Sequence, residues 1–111
     1  MWGTGNPKRE FLHSDDLADA CIYLMKNYED SEIVNVGVGE DIAIKDLAGL
    51  VKEIVGYKGE INFNSSIPDG TPRKLVDVSK INALGWKARI PLAEGLQKLY
   101  LTFQKEFLVN Q

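Results

Sequence analysis

The chain has 111 residues, 44% of them hydrophobic and 26% charged, with a formal net charge of −3. That size and balance give at most one globular domain with a modest core, residues 1–111, and no support for a sequence-independent nucleic-acid role. No apolar run approaches the roughly 18–20 residues that span a bilayer, so no membrane partner is expected.

From the N-terminus, Trp2 is followed by the turn cluster Gly3-Thr4-Gly5-Asn6-Pro7 and then by Glu10-Phe11-Leu12-His13, which reads as half of a β-hairpin. A hairpin needs two strands, and almost nothing precedes this turn. The chain reads as entering in the middle of a structural element, as a fragment of a longer protein would. Ser14-Asp15-Asp16 supplies an N-cap and two carboxylates for a helix over about 15–28. Its apolar stripe is Leu17, Cys21, Leu24 and Tyr28, widened by Ala18, Ala20 and Met25. Ile33-Val34-Asn35-Val36 reads as a short buried strand ended by Gly37-Val38-Gly39. Ile44, Leu47, Leu50, Val51 and Ile54 mark a second amphipathic helix closed by Gly56.

Glu60 to Asn64 alternates as a half-exposed strand would, and a short helix is expected near Ser79 to Leu84, ended by Gly85-Trp86. Pro91 opens a last helix with the stripe Leu92, Leu96, Leu99, Phe103 and Phe107. Helices interleaved with short strands make this an α/β domain.

Between the Glu60 strand and the short helix lies Pro68-Asp69-Gly70-Thr71-Pro72-Arg73-Lys74. Two prolines around Asp-Gly stiffen a turn-rich backbone, and Asp69 beside Arg73-Lys74 suits a ligand carrying both hydrogen-bond donors and phosphate. A solvated turn with charges spread for solubility is the plainer alternative. Trp2 and Arg9 flank the first turn, where a hairpin would bring them to the same end. There the indole can stack on a base or sugar and the guanidinium can bind a diphosphate. Equally, Trp2 packs the hairpin and Arg9 sits in solvent.

The remaining candidates read as structural. Gly37-x-Gly39 follows a strand, but a dinucleotide fingerprint needs glycine at position 42, which is Ile42, so a tight turn is expected. Cys21 on the helix stripe is expected to be a buried, inert thiol. As the only cysteine it excludes an intrachain disulfide and a multi-cysteine zinc site, and with no signal peptide in view it points to a reducing cytoplasmic setting. His13, the only histidine, reads as a hydrogen-bonded structural residue, and Asp15-Asp16 as helix-end charges rather than metal ligands. No metal site is expected.

Taken in order, Trp2-Gly-Thr-Gly-Asn-Pro-Lys-Arg9-Glu-Phe-Leu-His13-x-Asp-Asp-Leu-Ala, Asn35-Val-Gly-x-Gly39, Ile44-Lys-Asp-Leu-Ala, Val55-Gly-Tyr-Lys-Gly59, Pro68-Asp-Gly-Thr-Pro-Arg-Lys-Leu75 and Leu84-Gly-Trp86 resemble the C-terminal part of extended short-chain dehydrogenase/reductases acting on nucleotide sugars. The resemblance covers nearly the whole chain. It implies the substrate-binding part of a Rossmann-type enzyme, with the N-terminal NADP-binding portion absent. It also implies GDP-sugar contacts at the positions matching Trp2, Arg9 and Asp69, a set that Arg73 and Lys74 extend by charge and placement. In related epimerases and dehydratases the loop more often reads Arg-Pro-Gly-Asp/Glu.

Catalysis in that family uses a Gly-rich NADP loop and a Tyr-x-x-x-Lys pair with a nearby Ser. Neither is present: Tyr23 meets Lys26 at the wrong spacing, and Tyr28 and Tyr100 are followed four residues on by Glu32 and Gln104. The resemblance therefore implies a chain with no catalytic residue and no bound cofactor of its own, inactive alone. Faces meant for missing strands, such as Leu17, Leu24 or Val34, are expected to be exposed and to drive self-association or a homodimer.

Overall fold

Residues 1–108 are described by the computed structural model. Two strands of two residues each, β1 (Lys8–Arg9) and β2 (Ile42–Ala43), pair antiparallel with Lys8 opposite Ala43 and Arg9 opposite Ile42. The helices are α1 (Ser14–Asn27), α2 (Ile44–Val55), α3 (Ser79–Ala83) and α4 (Leu92–Phe103), the last continued by a π-helical turn, Gln104–Leu108. No helix among the described residues is long and apolar enough to cross a membrane.

Helix α1 starts one residue earlier than its sequence predicts, and its cap is His13 rather than Ser14. The His13 Nδ1 accepts the Asp15 amide hydrogen at 3.0 Å, and its carbonyl accepts from Leu17. The expected structural histidine is therefore found, as a cap. The buried face of α1 is also rotated by about one residue from the apolar stripe. Asp16 and Ala20 are buried and Tyr23 and Leu24 pack inward, whereas Leu17 is exposed. Cys21 is exposed too, which corrects the expectation of a buried thiol.

The inward face holds because its polar groups are satisfied. The Asp16 carboxylate accepts from the Arg89 and Ile90 amides at 3.0–3.2 Å, Asp19 accepts from the Trp86 indole N–H at 2.9 Å, and the Tyr23 hydroxyl donates to the Leu84 carbonyl. Around these bonds sits the core: Ala20, Ile81 and Trp86, with Leu12, Tyr23, Leu24, Val34, Val36, Val78 and Ala88 packed against it. Burying one Trp removes roughly 200 Å² from water, worth about 5 kcal/mol at 25 cal/mol per Å². Trp86 thus supplies much of the apolar stabilisation of this half.

The other half is α2 against α4. Gly56, left-handed at φ 70°, caps α2, with the Tyr57 amide returning to the Lys52 carbonyl. Pro91 stands as the N-cap of α4 rather than its first residue. No residue of α2 is buried, and Val51, Val55, Leu99, Phe103 and Phe107 remain exposed around an apolar groove of about 430 Å³ between the two helices.

Two expected strands are not formed. Ile33 to Val36 has no ladder partner among the described residues; Val34 and Val36 pack on the core while Ile33 is 88% exposed. Glu60 to Asn64 makes a single parallel bridge, Trp2 with Asn64, secured by the Gly3 amide on the Asn64 carbonyl and the Asn64 amide on the Met1 carbonyl. The opening hairpin is likewise absent: residues 2 and 8–9 pair with different segments. Of the three side chains expected to be exposed, Leu17 is so, while Leu24 and Val34 are half-buried on the core.

The radius of gyration is 17.0 Å, where a compact chain of this length would have about 13 Å. The principal extents are 50 × 39 × 17 Å. The molecule is a flattened slab.

Candidate functional site

Strand β1 is the centre of a three-part ribbon. On one side it pairs with β2, and the Ile44 and Lys45 amides continue the contact to the Pro7 and Gly5 carbonyls. On the other, the Lys8 amide donates to the Pro72 carbonyl and the Lys74 amide returns to the Lys8 carbonyl, so that Lys8 and Arg73 form a parallel bridge. The stiff Pro68–Lys74 loop is therefore docked along residues 4–9.

Its charged side chains follow from that docking. Both Asp69 oxygens are held by Thr4: the backbone amide donates to Oδ1 at 2.8 Å and the hydroxyl to Oδ2 at 2.7 Å. The Thr4 hydroxyl bond, and then its amide bond, hold the Asp69 carboxyl below the usual carboxylate range. Arg9 Nη1 donates to the Thr71 and Lys8 carbonyls, both at 2.7 Å, which fixes the guanidinium against the loop. Arg73 Nε is bound to Asp41 at 2.5 Å, so part of its donor fork is committed to the neck of β2. Arg9, Arg73 and Lys74 line one open cleft of about 590 Å³ together with Leu12, Val36 and Val76. Trp2 is 81% exposed and, like Asp69, lies outside that lining.

The structure thus gathers Arg9, Arg73 and Lys74, ties Asp69 to the same ribbon through Thr4, and leaves Trp2 as an open aromatic surface on the adjoining bridge. Three supporting residues escape a reading of the sequence. Thr4 looks like a turn residue between glycines and Asp41 like a solvated charge. Glu10 gives no periodic signal, yet it joins three segments: Oε2 accepts from the Val38 and Gly39 amides at 2.6 and 2.7 Å, and Oε1 from the Val76 amide at 2.9 Å.

Glu10 also decides the Gly37-Val38-Gly39 turn. The backbone donors that would cradle a phosphate are already given to a carboxylate of the same chain, and a side chain at Gly37 would meet Glu10 Oε2 at 2.5 Å. The turn is structural, and its Val38 and Gly39 amides are not free for the phosphates of a dinucleotide cofactor. No group of three His, Cys, Asp or Glu residues among those described could hold a metal ion.

Residues 1–37 match the model of the NAD dependent epimerase/dehydratase family. The fold is that of the C-terminal part of the extended short-chain dehydrogenase/reductase class. Within that class the similarity runs to GDP-L-fucose synthases. It is 60% identical over 100 residues to "Probable GDP-L-fucose synthase 1" of Oryza sativa subsp. japonica, covering 90% of this chain and 30% of that protein. It is 52% identical over 100 residues to GDP-L-fucose synthase 1 of Arabidopsis thaliana, covering 90% and 31%. The crystal structure of a GDP-6-OMe-4-keto-L-xylo-heptose reductase from C. jejuni superposes with a TM-score of 0.89 at 45% identity, over 96% of this chain and 33% of that one. The chain therefore spans about a third of the length of the relatives it matches.

Proposed function

We propose that this chain holds the nucleotide-sugar substrate of a GDP-L-fucose synthase type of reaction. In that reaction GDP-4-keto-6-deoxy-D-mannose is converted to GDP-L-fucose by 3,5-epimerisation and NADPH-dependent 4-keto reduction. The observation that carries the reading is the docking of the Pro68–Lys74 loop along residues 4–9, which puts a fixed carboxylate and the cations Arg9, Arg73 and Lys74 on one ribbon.

Arg9 and Lys74 balance the diphosphate charge, with Arg73 contributing the part of its guanidinium that Asp41 leaves free. Asp69 accepts from paired donors, either ribose hydroxyls or the guanine edge. Trp2 offers a flat apolar face to the base or sugar. The chain has no Tyr-x-x-x-Lys pair, and its Gly37-Val38-Gly39 turn is filled by Glu10. Its part is binding, and hydride transfer and proton transfer at the sugar belong to residues outside it.

Calorimetric titration with GDP, UDP and dTDP tests this. GDP is expected to bind in preference to the other two, and Asp69→Ala and Arg9→Ala are each expected to weaken GDP binding about tenfold, the loss of one charge-assisted contact. Preference for UDP, or unchanged GDP affinity in both variants, would overturn the assignment.

A further inference from the structure

We infer that Thr4 is the positioning residue of this site, fixing Asp69 as an oriented, acceptor-only carboxylate that selects ligands presenting two adjacent hydrogen-bond donors. The inference rests on Asp69 being a ligand contact, as proposed above.

Asp69 stands on an exposed loop, where a short acidic side chain ordinarily rotates freely. Here each of its oxygens takes one bond from the same residue, a two-point clamp that fixes both side-chain torsions. Among the described residues, Thr4 is the only hydrogen-bond partner of that carboxylate. The hydroxyl has one proton to give and accepts elsewhere: the Asn6 amide donates to Thr4 Oγ1 at 3.1 Å, which orients the hydroxyl and leaves its proton for Asp69. Gly3 completes the cradle. It is buried at φ 80°, and a Cβ there would lie 2.3 Å from Asp69 Oδ1, so a side chain at position 3 would displace the carboxylate.

A carboxylate so held keeps one lone pair free on each oxygen and has no proton to donate. Its ligand must bring two donors at matching spacing, as the vicinal hydroxyls of a ribose or the ring N–H and amino group of guanine do. The single ring N–H of uracil, flanked by carbonyls, does not match it.

The test compares Thr4→Val, which removes the hydroxyl at constant shape, with Thr4→Ser, which restores it. In the free 111-residue chain, carbon-detected NMR titration should show Asp69 titrating below the ordinary carboxylate range, moving up in Thr4→Val and returning in Thr4→Ser. Affinity for GDP should fall about fivefold in Thr4→Val and recover to within about twofold in Thr4→Ser, with the loss growing as pH falls. GDP and deoxy-GDP are compared: a preference for GDP assigns the clamp to the ribose diol, and equal binding assigns it to the guanine edge.

Identical Asp69 titration in wild type and Thr4→Val would overturn the inference, as would an affinity loss that Thr4→Ser does not repair. If Asp69→Ala leaves GDP binding untouched, the reading of the site fails, whereas an effect of Asp69→Ala with none of Thr4→Val sinks the positioning role alone.

Discussion

Glu10 shows how much of this architecture can hang on one side chain. Its carboxylate accepts three backbone amides from two distant segments, which ties residues 38–39 and 76 to the end of β1 and so holds both walls of the cationic cleft. Removing it leaves three half-buried donors unpaired, each worth about 1 kcal/mol or more. Glu10→Ala is expected to lower the unfolding free energy by about 2–3 kcal/mol in urea titrations. The vacated amides form an anion-binding concavity, so millimolar formate should raise the melting temperature of Glu10→Ala and leave the wild type unchanged. Equal responses of the two proteins would show that the amides are not the acceptor's main partners.

At the scale of elements, α1 shows where a sequence speaks and where it falls silent. Its extent was legible to within a residue, because capping groups and 3.6-residue spacing are local properties. Its buried face was not, because that face is built from Asp16, Ala20 and Tyr23, and the partners that make it tolerable lie 61 to 74 residues away. Asp16→Ala should therefore cost about 2–3 kcal/mol, since it orphans the Arg89 and Ile90 amides, while Cys21→Ser should change stability by under about 0.5 kcal/mol. The opposite ranking in chemical denaturation would restore the apolar stripe as the packed face.

The short strands failed for a related reason: alternation marks a segment able to pair but cannot supply its partner, and Ile33–Val36 has none among the described residues. Of the candidate site only the placement was legible: Arg9, Asp69, Arg73 and Lys74 come to one ribbon. Thr4, Glu10 and Asp41, which hold them, carry no signal until the loops are docked.

Taken whole, the molecule buries very little. Ala20, Ala43, Ile81 and Trp86 are its buried hydrophobics among the described residues, while Ile33, Met25, Leu99 and Phe107 are more than half exposed. Apolar surface on that scale favours association, and two copies covering the α2–α4 groove would bury the part of it that includes Leu99 and Phe107. Light scattering at rising concentration is expected to give a mass above that of the monomer, together with binding of a hydrophobic dye that declines as the mass grows. A stable monomer that ignores the dye would refute this.

The slab shape reaches the chemistry by another route. Half of the 17 Å thickness is about the Debye length at physiological salt, roughly 8 Å. Its charges stand mostly at the surface, where salt screens them, and Arg73–Asp41, Lys80–Glu32 and Lys98–Glu94 each keep at least one partner open to solvent. The attraction that Arg9, Arg73 and Lys74 exert on an anion is thus set as much by the ionic strength of the surroundings as by the fold.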